Sequence, residues 1–86
     1  MSAWRVRVRI MPRPGILDPQ GQAVEHALGA LGFAGVGGVR VGRTVELKVE
    51  ASGEAEARES ARRMCERLLA NPVTEDFTVD AVGPAA

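Results

Sequence analysis

The sequence predicts a single α+β domain, a two-layer sandwich of order βαββαβ in the ferredoxin-like arrangement, with two helices on one face of a four-stranded antiparallel sheet. Three observations carry this. Trp4 to Ile10 alternates strictly between apolar residues and arginine, two stretches carry helix start and stop signals, and strand-like alternation returns at Val45 to Val49 and Phe77 to Ala81. With 86 residues, 45% of them apolar, the chain has material for one core spanning residues 1–86, the last four a frayed tail. A chain of this length buries only about 60 to 65% of its unfolded surface, so a partner surface would add stability.

In the first strand Trp4, Val6, Val8 and Ile10 share one face and Arg5, Arg7 and Arg9 the other, as a period of two requires. Pro12, Pro14 and Gly15 then turn the chain out of the sheet, because proline lacks a ladder donor. Asp18-Pro19 starts a helix over 19–31: the carboxylate caps free N–H groups, and proline at the first position lacks a donor that would go unused. Its stripe is Ala23, Val24, Ala27, Leu28 and Leu31, Gly32 supplies the left-handed stop, and Phe33 is placed to pack behind it.

Residues 36–41 and 44–50 read as two strands joined by a tight turn at Gly42-Arg43. In the second, Val45, Leu47 and Val49 oppose Glu46, Lys48 and Glu50. A second helix runs from Ser52-Gly53-Glu54 to Ala70, with Ala57, Ala61, Met64, Cys65, Leu68 and Leu69 inward and Glu54–Arg58 and Glu59–Arg63 as i,i+4 pairs outward. Asn71-Pro72 ends it, and a last strand covers 73–82. With the first strand between the third and fourth, its arginine row lies beside Glu46 and Glu50 on one side and Asp76 and Asp80 on the other. That face is read as a solvated one, with a partner-binding face as the other reading.

The 11 basic and 11 acidic residues cancel, which removes the broad positive field of a nucleic-acid binder. One cysteine excludes an internal disulfide and a thiolate pair, and neither a signal peptide nor a membrane span is present, so the expected compartment is the cytoplasm.

Each chemistry known on such folds needs a signature. Residues 11–18 hold no cysteine pair for a soft metal, and of the three aromatics, Trp4, Phe33 and Phe77, Trp4 and Phe77 share the phase of the buried set, so a base-stacking platform is missing. An acylphosphatase-like loop would depend on Arg13, but Pro12 and Pro14 remove two backbone donors. Gly35, Gly37 and Gly38 lack the spacing and context of a dinucleotide fingerprint. His26 stands alone on the polar side of its helix, and Cys65 sits among apolar residues as a buried structural thiol. No catalytic, cofactor-binding or metal-binding residue is assigned.

The run Pro14-Gly15-Ile16-Leu17-Asp18-Pro19-Gln20-Gly21, followed by Val39-Arg40-Val41-Gly42-Arg43 and Cys65-Glu66-Arg67-Leu68-Leu69-Ala70-Asn71-Pro72-Val73-Thr74-Glu75, resembles the S subunit (PurS) family of phosphoribosylformylglycinamidine synthase. Arg43, where lysine is common, Thr74, where isoleucine is, and the glycine-rich stretch 35–38 depart from the pattern. The resemblance implies a non-catalytic subunit of an ATP-dependent, glutamine-hydrolysing ligase of purine biosynthesis. It implies a homodimer or homotetramer that bridges a glutaminase subunit and a large synthetase subunit, while ATP, Mg²⁺ and glutamine are used by the complex and no cofactor is held by this chain. The candidates for partner contact are Arg13, Pro14, Gly15, Leu17, Asp18 and Gln20 in the first loop, Arg40 and Arg43 at the hairpin, and Asn71 and Glu75 after the second helix. For Asp18 and its neighbours, helix capping alone is the competing reading. A stand-alone regulatory domain binding a small ligand is the alternative function.

Overall fold

The alternation of valine and isoleucine with arginine produces an 11-residue strand, β1 (Ser2–Pro12), whose Val6, Val8 and Ile10 are fully buried while the arginines face solvent. In the computed structural model, which describes residues 1–85, the order continues with α1 (Pro19–Ala30), β2 (Arg43–Ala51), α2 (Glu54–Met64), a π-helical turn (Cys65–Leu69) and β3 (Glu75–Pro84). The sheet is antiparallel, with β1 between β2 and β3. It has three strands, not the four expected.

The missing strand is the one placed at residues 36–41. Gly35 and Gly38 adopt positive φ of 81° and 67°, which breaks an extended run. The donors that a neighbouring strand would need are already taken by side chains: Val39 N–H donates to Glu25 Oε1 at 3.1 Å and Val41 N–H to Asp18 Oδ2 at 2.9 Å. The tight turn expected at Gly42-Arg43 is likewise absent. Gly42 instead sits directly against the Ile10 carbonyl and the Met11 sulfur, where a Cβ would have no room.

Central placement of β1 sets its arginines against both neighbours. Arg7 is opposite Glu46, whereas Arg5 is opposite Lys48, a like-charged pair. Toward β3 the register shifts between Arg7 and Val8, so that Arg7 faces Ala81 and Val8 faces Val79. Asp80 is the extra residue, and its carboxylate lies 3.6 Å from Arg7 Nε. Both side chains are about half exposed, so the pair adds little stability.

The core is small: Val6, Val8, Ile10, Val49, Ala51, Ala57, Ala61, Cys65 and Ala70, with Trp4, Val45, Leu47, Leu69, Phe77, Val79 and Val82 packed at its margin. α2 alone lies on the sheet, against all three strands; α1, expected beside it, makes at most marginal contact with other elements and projects away. Its ends match the sequence reading. Asp18 caps the first turn, and Gly32, at φ 95°, closes a Schellman motif in which Phe33 N–H donates to the Leu28 carbonyl and Gly32 N–H to that of Gly29. Phe33 itself does not pack behind the stop; it is 58% exposed.

α2 departs from expectation at its end. A straight α-helix would bring Met64 and Leu68 inward with Ala57, Ala61 and Cys65. The chain instead takes a π turn, closed by Ala70 N–H on the Cys65 carbonyl at 3.1 Å, which turns Leu69 and Ala70 toward the core and Leu68 out. β3 begins at Glu75, two residues after the expected start, and runs through Gly83 and Pro84, past the expected end at 82 and into the expected tail. Ala85 N–H donates to the Ala3 carbonyl, so the described part of that tail is tied to the sheet; Ala86 lies outside the described residues.

Candidate functional site: an arginine-clamped end of the sheet

Three arginines gather the loop after β1, the entry to β2 and the turn before β3 at one end of the sheet. Each does so by donating to backbone carbonyls, which its planar fork of N–H groups allows. Arg13 extends the β1–β3 ladder through its N–H on the Thr74 carbonyl at 2.9 Å. Its side chain donates to the carbonyls of Pro72 (2.6 Å) and Glu75 (3.3 Å) and lies 3.3 Å from Asp76. Arg40 donates to the carbonyls of Ile16 (3.0 Å) and Arg13 (2.7 Å), closing the 13–18 loop on the segment before β2. Arg43 donates to the Leu69 carbonyl at 2.7 Å and holds both oxygens of Glu75.

Two carboxylates complete the clamp. Asp18, only 8% exposed, accepts from Gly21 N–H at 3.0 Å and Val41 N–H at 2.9 Å, with Arg40 4.0 Å away. The Gly21 N–H, then that of Val41, hold its carboxyl below the usual range, and Arg40 adds to this against the opposing effect of burial. Glu75 is lowered first by Arg43 and then by the Asn71 N–H, which donates to Oε1 at 2.8 Å; the same pairing raises Arg43. Asn71 shapes the turn through its own Oδ1, which accepts from Val73 N–H at 2.9 Å.

The structure thus brings Arg13, Asp18, Arg40, Arg43, Asn71 and Glu75 together as a structural network. Pro14, Gly15, Leu17 and Gln20 lie on its exposed outer surface, Leu17 with 70% of its area in solvent. The capping reading of Asp18 accounts for its geometry, and the Val41 bond adds a tertiary role. Sequence reasoning missed Asp76 as a partner of Arg13 and Gly21 as a contact point. A Cβ on Gly21 would stand 2.5 Å from both Asp18 Oδ2 and the Val39 carbonyl, and its place in the LDPQG run was the available signal.

Beside the clamp is an open cleft of about 450 Å³ lined by Arg13, Cys65, Glu66, Ala70, Pro72, Glu75, Asp76 and Phe77. Its chemistry is muted. Arg13 is engaged by two carbonyls and Asp76, so it is not poised to receive an acyl phosphate. Burial, then Glu66, pushes the Cys65 thiol up, away from the reactive thiolate. His26 is exposed on α1, and among the described residues no group of three or more His, Cys, Asp or Glu side chains is placed to hold a metal ion.

The remaining exposed feature is apolar. Val24 (40% exposed), Leu31 (74%) and Phe33 (58%) follow the projecting α1, Met64 and Leu68 are exposed together at the end of α2, and Val73 is exposed in the turn beyond it. Fold and site together define a small antiparallel α+β module with a clamped end and with apolar surface left uncovered along α1 and at the end of α2. Residues 5–83 match the family model described as PurS, phosphoribosylformylglycinamidine (FGAM) synthase, and the chain belongs to this family. It is 43% identical over 75 residues to the phosphoribosylformylglycinamidine synthase subunit PurS of Synechocystis sp., covering 87% of this chain and 75% of that one. Among solved structures, Thermus thermophilus PurS superposes with a TM-score of 0.86 at 40% identity, covering 98% of this chain and 99% of its own. A chain of the Thermotoga maritima PurLQS structure gives 0.81 at 30% identity, covering 98% and 99%. No helix among the described residues is long and apolar enough to cross a membrane.

Proposed function

We propose that this chain is the non-catalytic small subunit of a phosphoribosylformylglycinamidine synthase assembly, bridging a glutaminase chain and an ATP-dependent synthetase chain. The observation that carries this is its likeness over 98% of its length to a chain of the PurLQS structure. The clamp supports it physically: its arginines and carboxylates are used to hold backbone segments together, which suits a part that must present fixed surfaces. Ammonia released from glutamine would protonate or escape in bulk water, so a subunit that keeps two active sites in register protects the intermediate. ATP, Mg²⁺ and glutamine belong to the other chains, and the assembly works in the cytoplasm. A stand-alone small-ligand regulator is not favoured by the comparisons.

The reading includes self-association into a homodimer, with a homotetramer as the larger option. A radius of gyration of 16.3 Å compares with roughly 12 Å for a compact domain of this length, and the 12-residue α1 is too short to persist alone in water. A second copy covering the apolar side of α1 accounts for both, and a twofold dimer is the commonest closed form.

Added to purified synthetase and glutaminase chains, the protein is expected to raise glutamine-dependent formation of formylglycinamidine ribonucleotide several-fold while showing no turnover alone. A mixture that gains nothing from it would sink the subunit reading.

A further inference from the structure

The π turn leaves a surface that the fold of the single chain does not use. Ala57, Ala61 and Cys65 are fully buried on one helix face, and a helix continued in α geometry would bring Leu68, three residues after Cys65, onto the middle of that face. The extra residue of the π turn rotates Leu68 away until 83% of it is exposed, and half-buried Leu69 takes the inward position. Such turns are rare and are frequently placed at functional sites.

What surrounds Leu68 defines the occupant. A groove of about 460 Å³ is lined by Ser60, Arg63, Met64, Arg67, Leu68 and Leu69. Met64 is 39% exposed, and Val73, in the turn beyond the helix, is 73% exposed. Of the two arginines, Arg63 is only loosely tied to Glu59, at 3.8 Å, and that carboxylate is held at 2.7 Å by Arg62. Arg67 has no ion pair among the described residues, and Glu66 beside it in sequence is engaged by Arg62 at 2.9 Å. The patch is therefore apolar at its centre and positively charged at its rim. Two copies meeting patch to patch would oppose arginine to arginine, which disfavours a twofold self-contact through this surface.

We propose that the π turn presents Leu68, flanked by Arg63 and Arg67, as a docking surface for an acidic, apolar segment of another subunit of the assembly. This rests on the subunit reading above and names one of its contact faces. Leu68 fills an apolar recess in the partner, and the arginines meet its carboxylates at the rim, where they speed association and fix orientation.

The test uses the full chain with the synthetase and glutaminase chains. Leu68→Glu and Arg67→Glu are compared with wild type by binding in an analytical ultracentrifuge, by helical melting and by glutamine-dependent synthesis at low and moderate salt. Deleting Leu68, which lets the helix close in α geometry, serves as a third variant if a charge at position 68 disturbs folding. The expected result is that all variants keep the native melting profile and the mass of the free protein, and bind the other chains at least tenfold more weakly. Arg67→Glu should also lose most of the salt dependence of binding. If wild type joins the assembly and the folded variants join it equally well, the docking surface is overturned while the subunit reading stands. If Leu68→Glu changes the mass of the free protein, the patch is an interface between copies and the proposal is likewise overturned. If wild type itself does not associate, the subunit reading is the one that fails.

Discussion

Asp18 serves two segments with one carboxylate, capping α1 through Gly21 and anchoring residue 41 through its second oxygen. The cap was legible in the sequence because Asp-Pro before a helical stripe is a local signal. The bond to Val41 was not, since it joins residues 23 apart through a fold not yet known. The same holds for Arg43 and Glu75, recognised as candidates but not as each other's partners. Replacing Asp18 with alanine is expected to lower the Tm by roughly 5 to 10 °C, with hydrogen-exchange protection lost first at Gly21 and Val41. The pH dependence follows from the direction of the shifts. Asp18 and Glu75 both titrate lower in the folded chain than in the unfolded one, so below about pH 5 the unfolded state binds more protons. Their stabilisation is complete at neutral pH and is lost as the pH falls through the ordinary carboxylate range to the lowered native values. Urea midpoints measured between pH 7 and 3 should fall steeply for wild type and less steeply for Asp18→Asn combined with Glu75→Gln; parallel curves would exclude the clamp as the source.

Among the elements, β1, β2, α1 and the first three turns of α2 follow from periodicity and caps, because their signals lie within each segment. The fourth strand failed for the opposite reason. Val36 to Val41 has strand-like valines, but strands form by pairing, and the donors of Val39 and Val41 are captured by carboxylates. The π turn was equally hidden: Met64 and Leu68 fit an inward α-helical stripe, and only tertiary packing of Leu69 and Ala70 decides otherwise. The segment that replaced the fourth strand leans on Gly21, packed against the Val39 carbonyl. Gly21→Ala, despite the better helix propensity of alanine, is expected to destabilise the protein by about 1 to 3 kcal/mol through overpacking against backbone, measured by chemical denaturation. A neutral or stabilising result would mean that residues 39–41 move aside freely.

At the scale of the molecule, the sequence showed the family through its LDPQG and ANPV runs, yet not that α1 would stand off the sheet. Periodicity identifies an apolar stripe without saying which surface covers it. If the stripe is covered by a second copy, stability depends on protein concentration. Val24→Glu combined with Leu31→Glu should then reduce the mass in solution to that of one chain and remove the rise in Tm with concentration, as followed by sedimentation and calorimetry. An unchanged mass would exclude α1 from the self-association surface.

The position of β1 has a further consequence for how the protein is made. The strand that anchors the sheet is synthesised first, but on one flank its partner is β3, with Trp4 opposite Pro84. At roughly 5 to 20 residues per second, that flank stays open for several seconds after Trp4 is made, and pairing across so long a stretch is slow to form. During that interval Arg5, Arg7 and Arg9 of β1 act as gatekeepers, since a nascent strand carrying repeated positive charge resists pairing with copies of itself on neighbouring ribosomes.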